Sequence, residues 1–205
     1  MNTFTKRSEI AGPVGALSIA IDTTTDVPSR GLAVVCHPHP LQGGTMDNKV
    51  VTTIARALTQ RGWRTVRFNY RGVGQSAGSW DEGRGEVDDA LAVIAAHRVA
   101  GEPLLLGGFS FGGYIAASAN ARLPEGEPAR RLVLVAPSTV KHLAPPVPAD
   151  TLLIHGEADD VVPLSASMDW ARPQALPVVV VPGAGHFFHG QLMLLKSLVL
   201  RNFAE

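Results

Sequence analysis

The sequence predicts an α/β fold: a mostly parallel, twisted sheet with helices on both faces. Three observations predict it. Short β-rich runs recur at fairly even intervals. Several of them are apolar almost throughout, as strands covered on both faces are. Between them lie stretches with helical apolar spacing, so that strand and helix alternate. At 205 residues, 45% hydrophobic and 18% charged, the chain suits one globular domain, 1–205, with no visible repeat or low-complexity tract.

The runs are "ALSIAI" (16–21), "GLAVVC" (31–36), "RTVRFN" (64–69), "PLLLGG" (103–108), "RLVLVA" (131–136), "TLLIHG" (151–156) and "PVVVV" (177–181). The first, followed by Thr, Asp, Pro and Ser, reads as an outer antiparallel strand joined by a hairpin. Asp47 is placed to cap a helix in which Val51, Ile54, Ala55 and Leu58 make one apolar stripe, and Gly62 sits where that helix should stop. Over 84–98, Val87, Leu91 and Ile94 share a face, with Glu86, Asp88 and Asp89 near the positive helix start. "FGGYIAASANAR", a short segment at 164–171 and the C-terminal "GQLMLLKSLVLRNF" complete the helices. The gap from the strand ending near 136 to the one beginning near 151 leaves no room for an inserted lid domain.

Charge narrows the function classes. Lys plus Arg equals Asp plus Glu, 18 against 18, with no basic run, so neither nucleic acid nor a membrane surface is an expected partner. Cys36 is the one cysteine, which excludes an internal disulfide and agrees with a reducing compartment. The N-terminal stretch carries no continuous apolar segment followed by a cleavage site, and "LVLVA" and "PVVVVP" are too short to span a bilayer, so a cytoplasmic location is expected. Nothing in the sequence bears on the oligomeric state.

"LLLGGFSFGGYIAA" (104–117) carries the chemistry. In G-x-S-x-G between a strand and a helix, the tight turn holds the serine in a strained conformation that small neighbours tolerate. The hydroxyl then stands clear of the sheet edge, and the next amide points from a helix start toward a developing oxyanion. A serine hydroxyl needs a base, and the base needs a carboxylate to orient it. Both follow in the order this topology demands: "GEADDVVP" after the strand at 151, and "GAGHFFHG" after the strand at 177. Ser110 is the candidate nucleophile and His186 the base, with His189 a weaker base candidate. Spacing alone leaves Glu157, Asp159 and Asp160 open as the acid.

With "CHPHPLQGGTMDNKVV", "RFNYRGVGQSAG", "GGFSFGG", "HGEADDVVP" and "GAGHFF", the chain resembles the α/β-hydrolase superfamily from about residue 16 onward. Within it the chain is similar to the small lidless bacterial hydrolases related to dienelactone hydrolase. Those well studied carry cysteine at the elbow where this chain has Ser110, so the dienelactone substrate does not transfer. The superfamily pattern G-x-x-D-x-x-V-P falls on Gly156, Asp159 and Pro163 and implies Asp159 as the acid. An oxyanion hole needs two amides: Phe111 supplies one, and "HPHPLQGGT" the other. Pro38 and Pro40 have no N–H, which leaves His39, Leu41 or a following glycine, and the resemblance points to the segment from His39 to Leu41.

The implied activity is hydrolysis of a small ester or related acyl compound through an acyl-enzyme. Thioesterase, acyltransferase, amidase or peptidase and perhydrolase chemistry are alternatives on the same residues, as is an inactive hydrolase-like binding protein. No cofactor and no metal are expected. His37-x-His39 has no matched ligand set, so His37 reads as a structural histidine bonded to backbone and Cys36 as a buried small hydrophobe. "NYRGVGQS" lacks a third glycine in register and a phosphate-loop lysine. It reads as a structural turn in which Arg71 pairs with Asp81 or Glu82, with binding of a substrate carboxylate as the alternative.

Overall fold

The computed structural model of the chain describes residues 3–203. Its strands are β1 (Thr3–Gly12), β2 (Gly15–Thr24), β3 (Gly31–Cys36), β4 (Trp63–Phe68), β5 (Leu104–Phe109), β6 (Arg131–Val135), β7 (Leu152–Gly156) and β8 (Val178–Val181). They form one sheet in the order β1-β2-β4-β3-β5-β6-β7-β8. β2 runs antiparallel to both β1 and β4, and every other pairing is parallel.

Alternation along the buried strands sorts side chains into two cores. Leu32, Val34 and Cys36 of β3 join one, where α2 (Arg84–His97) and α3 (Phe111–Ala121) pack through Val87, Val93 and Ile115. Ala33 and Val35 join the other, covered by α1 (Lys49–Gln60) and α5 (Leu192–Asn202) through Ile54, Leu58, Leu195 and Val199. Helices therefore lie on both faces of the sheet. Each fully buried Val, Leu or Ile stabilises this arrangement by roughly 1.5–3 kcal/mol. A shorter helix, α4 (Leu164–Ala171), follows β7. No helix among the described residues is long and apolar enough to cross a membrane.

Three local expectations are corrected. Residues 3–12 form a strand with no sequence signature. β1 is almost wholly exposed, so it has no apolar alternation, and backbone pairing with β2 from Thr3–Thr24 to Gly12–Gly15 holds it. The hairpin expected of residues 16–21 is thus made with the preceding segment, and β2 is not outermost. Asn48, not Asp47, caps α1, its side chain accepting from the amides of Val50 and Val51; Asp47 instead pairs with Arg7 at 2.8 Å and Arg67 at 3.0 Å. Arg71 pairs with neither Asp81 nor Glu82. Its guanidinium meets the fully buried Asp89 at 2.8 Å, and Asp89 also accepts from the Arg71 amide at 2.9 Å, while Asp81 and Glu82 pair with Arg84.

His37 is structural, as read from its position. Its Nδ1–H donates to the Pro38 carbonyl at 2.7 Å, and its Nε2 accepts from the Tyr70 amide at 3.2 Å. Burial pushes its pKa down to about 3 against the pull of the Pro38 carbonyl, and burial pushes the Cys36 thiol up to about 12. The loops after β3, β5, β7 and β8 gather along one rim, outside the carboxyl ends of the parallel strands, where ligands bind in open α/β sheets.

Candidate active site

The elbow is built from close approach. A Cβ at Gly108 would collide with the Gly112 carbonyl, and one at Gly112 with the carbonyls of Cys36 and His37, so the start of α3 lies directly on the end of β3. Ser110 turns the chain between β5 and α3 at φ 56° and ψ −121°, outside the conformations that L-residues favour. Its backbone is clamped on both sides: the Ser110 amide donates to Val135 at 2.9 Å, and the Ser138 amide donates to the Ser110 carbonyl at 3.0 Å. The hydroxyl is thereby held at the sheet's rim.

The loops after β7 and β8 are bonded to each other. The Glu157 amide donates to Val181 at 3.0 Å and the Ala158 amide to Ala184 at 2.9 Å, which sets Asp159 beside His186. His186 Nδ1 lies 2.7 Å from Asp159 Oδ2, and its Nε2 lies 3.1 Å from Ser110 Oγ. A carboxylate only accepts, so Nδ1 carries the proton and the Nε2 lone pair is left for the serine hydroxyl. The ring packs against Phe109 and Phe187, with centroids 4.8 and 5.0 Å apart, and only 3% of the residue is exposed.

Asp159 is held on every side. Oδ1 accepts from the Val161 amide at 3.0 Å and the Val162 amide at 2.8 Å. Burial pushes its pKa up, but hydrogen bonds from His155 and His186 outweigh that and hold it well below the usual carboxylate range. Glu157 accepts from the Gly183 amide, bracing the same pair of loops, and Asp160 is exposed. His189 stands apart. α5 begins at Leu192, not near His186, and His189 lies on the exposed turn before it. His155 was given no role in the sequence: it opens the quoted stretch "HGEADDVVP", but it stands at an alternation position of "TLLIH" and the pattern G-x-x-D-x-x-V-P starts one residue later.

Two segments offer free amides as oxyanion-hole candidates. The Phe111 amide, in the first turn of α3, has no protein acceptor among the described residues. In the loop after β3, the Gln42 and Gly44 amides donate to the His39 carbonyl and the Gly43 amide to Pro40, while those of His39 and Leu41 have no acceptor among the described residues. The glycine alternatives are thus occupied. His37 and His39 part company: the first is locked in the interior, whereas the second lines the cleft against Trp80 and Phe111 at centroid distances of 4.6 and 5.2 Å. No three His, Cys, Asp or Glu side chains converge as a metal-ligand group among the described residues.

A cleft of ≈ 470 Å³ opens on Ser110. One wall carries His39, Phe111 and His142; the other carries Val161, Pro163 and Ala166. The segment joining β6 to β7, where a lid would be inserted, lines the cleft through Ser138 to His142.

A family model described as serine aminopeptidase, S33, matches residues 28–150, more than half of the chain. The chain belongs to that family. It is a hydrolase of the α/β-hydrolase superfamily. The matched segment includes Ser110 but ends before Asp159 and His186. A lidless α/β serine hydrolase from Xanthomonas campestris superposes with a TM-score of 0.87 at 40% identity, over 100% of this chain and 95% of that one. An α/β serine hydrolase homologue from Coxiella burnetii gives 0.84 at 40% identity, over 96% of each chain. An uncharacterized Rickettsia prowazekii protein is 32% identical over 192 residues, 86% of this chain and 79% of its own. This member of the serine aminopeptidase family accordingly has the α/β-hydrolase fold without a lid domain.

Proposed function

We propose that this hydrolase is a serine esterase that cleaves a small ester or related acyl compound. One observation carries the reading: the unbroken line of contacts from Ser110 Oγ through His186 to Asp159, at 3.1 and 2.7 Å, beside an open cleft. His186 takes the Ser110 proton as Oγ attacks the carbonyl. The Phe111 amide and that of His39 or Leu41 stabilise the oxyanion. His186⁺, steadied by Asp159, then protonates the leaving group, and water repeats the sequence to free the acid. No cofactor or metal enters these steps. The cleft has no lid to close over a long chain, which supports small or exposed acyl groups as substrates and a small-molecule partner.

The family's name makes amide cleavage the second reading. An aminopeptidase must hold a substrate ammonium with a carboxylate, and the carboxylate on this cleft, Asp169, lies 2.6 Å from Arg172. Both partners of that pair are exposed, so a comparison of substrates decides between ester and amide. Fluorophosphonate should label the protein stoichiometrically and Ser110→Ala not at all. Folded protein that resists labelling would point instead to a binding module. Matched ester, thioester and amide substrates separate the reactions, and turnover should fall for acyl chains beyond about a dozen carbons, which an open cleft without a lid does not enclose.

A further inference from the structure

Beneath Asp159 lies an imidazole that the proposed reaction does not use. His155 occupies the fourth position of β7, where alternation directs its side chain into the interior, and it is fully buried. An isolated histidine there would be costly. This one has every nitrogen engaged. Nε2 lies 2.8 Å from the Val162 carbonyl, which can only accept, so Nε2 carries a proton. The same nitrogen is 3.3 Å from Asp159 Oδ2, the oxygen that faces His186. On the other side, Nδ1 lies 2.8 Å from the hydroxyl of Ser167, a fully buried residue of α4.

We infer that His155 is a positioning residue: its Nε2–H, donated to the Val162 carbonyl with Asp159 Oδ2 3.3 Å from the same nitrogen, sets the acid's carboxylate for His186. The geometry closes a ring. Val162 receives His155 through its carbonyl and, through its own amide, donates to Asp159 Oδ1 at 2.8 Å. His155 therefore fixes both the loop that carries Asp159 and one of its oxygens. The result is a continuous line Ser167–His155–Asp159–His186–Ser110, in which the first two members never meet substrate. The hydrogen bond from His155 also helps keep Asp159 ionised despite burial.

The inference rests on the Ser–His–Asp reading above, and the test separates the two. Wild type, His155→Leu, His155→Gln and Ser167→Ala are compared on one short ester that the wild-type protein turns over. His155→Leu removes the donor while keeping bulk and should lower kcat about tenfold or more with KM changed less than about twofold, the scale on which outer partners of functional side chains act. His155→Gln, which returns an N–H near Nε2, should recover most of the loss. The downfield proton resonance of His186 Nδ1 should move in both, and in Ser167→Ala, which disturbs only the far nitrogen.

Equal losses in the Leu and Gln variants would reduce His155 to packing, and an unmoved His186 resonance would remove it from the line altogether. If His155→Leu does not fold, Ser167→Ala decides, and an unchanged resonance there overturns the inference. A wild-type protein that fluorophosphonate does not label sinks the esterase reading itself. Labelled, active wild type with indifferent His155 and Ser167 variants sinks only this inference.

Discussion

Two buried polar clusters stand beyond the parallel strands of this molecule, and they are closed differently. After β3 and β4, His37, Tyr70, Arg71 and Asp89 satisfy one another and the backbone, with both His37 nitrogens and the Asp89 carboxylate occupied. After β5, β7 and β8, Asp159 and His186 are just as well held, but the line ends at a hydroxyl that borders the cleft. Histidines and carboxylates occur in both. What separates them is a terminus open to a ligand beside a backbone held out of its preferred region. Residue type alone does not separate the two; an unclosed end does.

The comparison breaks most sharply under mutation. His186→Ala should cut kcat on a short ester by several orders of magnitude, on the order of 10⁶-fold where the base and nucleophile act as a unit, and Asp159→Asn by about 10⁴-fold. Circular dichroism should show both folded. A mild loss in either would move that residue out of the proposed mechanism.

In the closed cluster the damage should be to stability. Asp89→Ala strands Arg71, which is 7% exposed, and should cost about 3–5 kcal/mol in denaturant unfolding while kcat per folded molecule stays put. A normal midpoint with impaired turnover would give Arg71 a functional role after all.

Acid should find the closed cluster too. Between pH 6.5 and about 3, the unfolded chain protonates residue 37 while the folded chain refuses the proton. Stability should therefore fall as pH drops through that window, by at most about 1.4 kcal/mol per pH unit from this group. His39, His97 and His142 are lowered as well, mainly by burial, and add to the slope in the same sense. Melting temperatures of wild type and His37→Asn across that range isolate the share of His37, and parallel curves would remove it. The smallest effects belong to Asp160→Asn and His189→Ala, two exposed loop residues, which should leave kcat within about twofold.

Much of this was legible in the chain because it is written locally. "LLLGGFSFGG" spells a strand, a turn that excludes side chains and a helix start, all within a few residues. The same holds for the apolar runs of β3 and β5. β1 was silent because a strand exposed along its length needs no apolar pattern. Arg71 misled because Asp81 and Glu82 are near in sequence, whereas Asp89 reaches it from the buried face of α2. His155 was in view, at the head of "HGEADDVVP", but its role was not, for a related reason. Its partners, Val162 and Ser167, come from the following loop and α4, and only their convergence tells a positioning histidine from a misplaced polar residue. In the oxyanion loop, sequence removed the prolines, and the structure removes the glycines by showing their amides already taken.

The clamp on Ser110 has a last consequence, for how such a chain changes over generations. At φ 56° and ψ −121° the backbone itself would welcome a residue without a side chain. Robustness alone would favour glycine there. Serine at that address is what the proposed nucleophile role asks for, against the preference of the backbone.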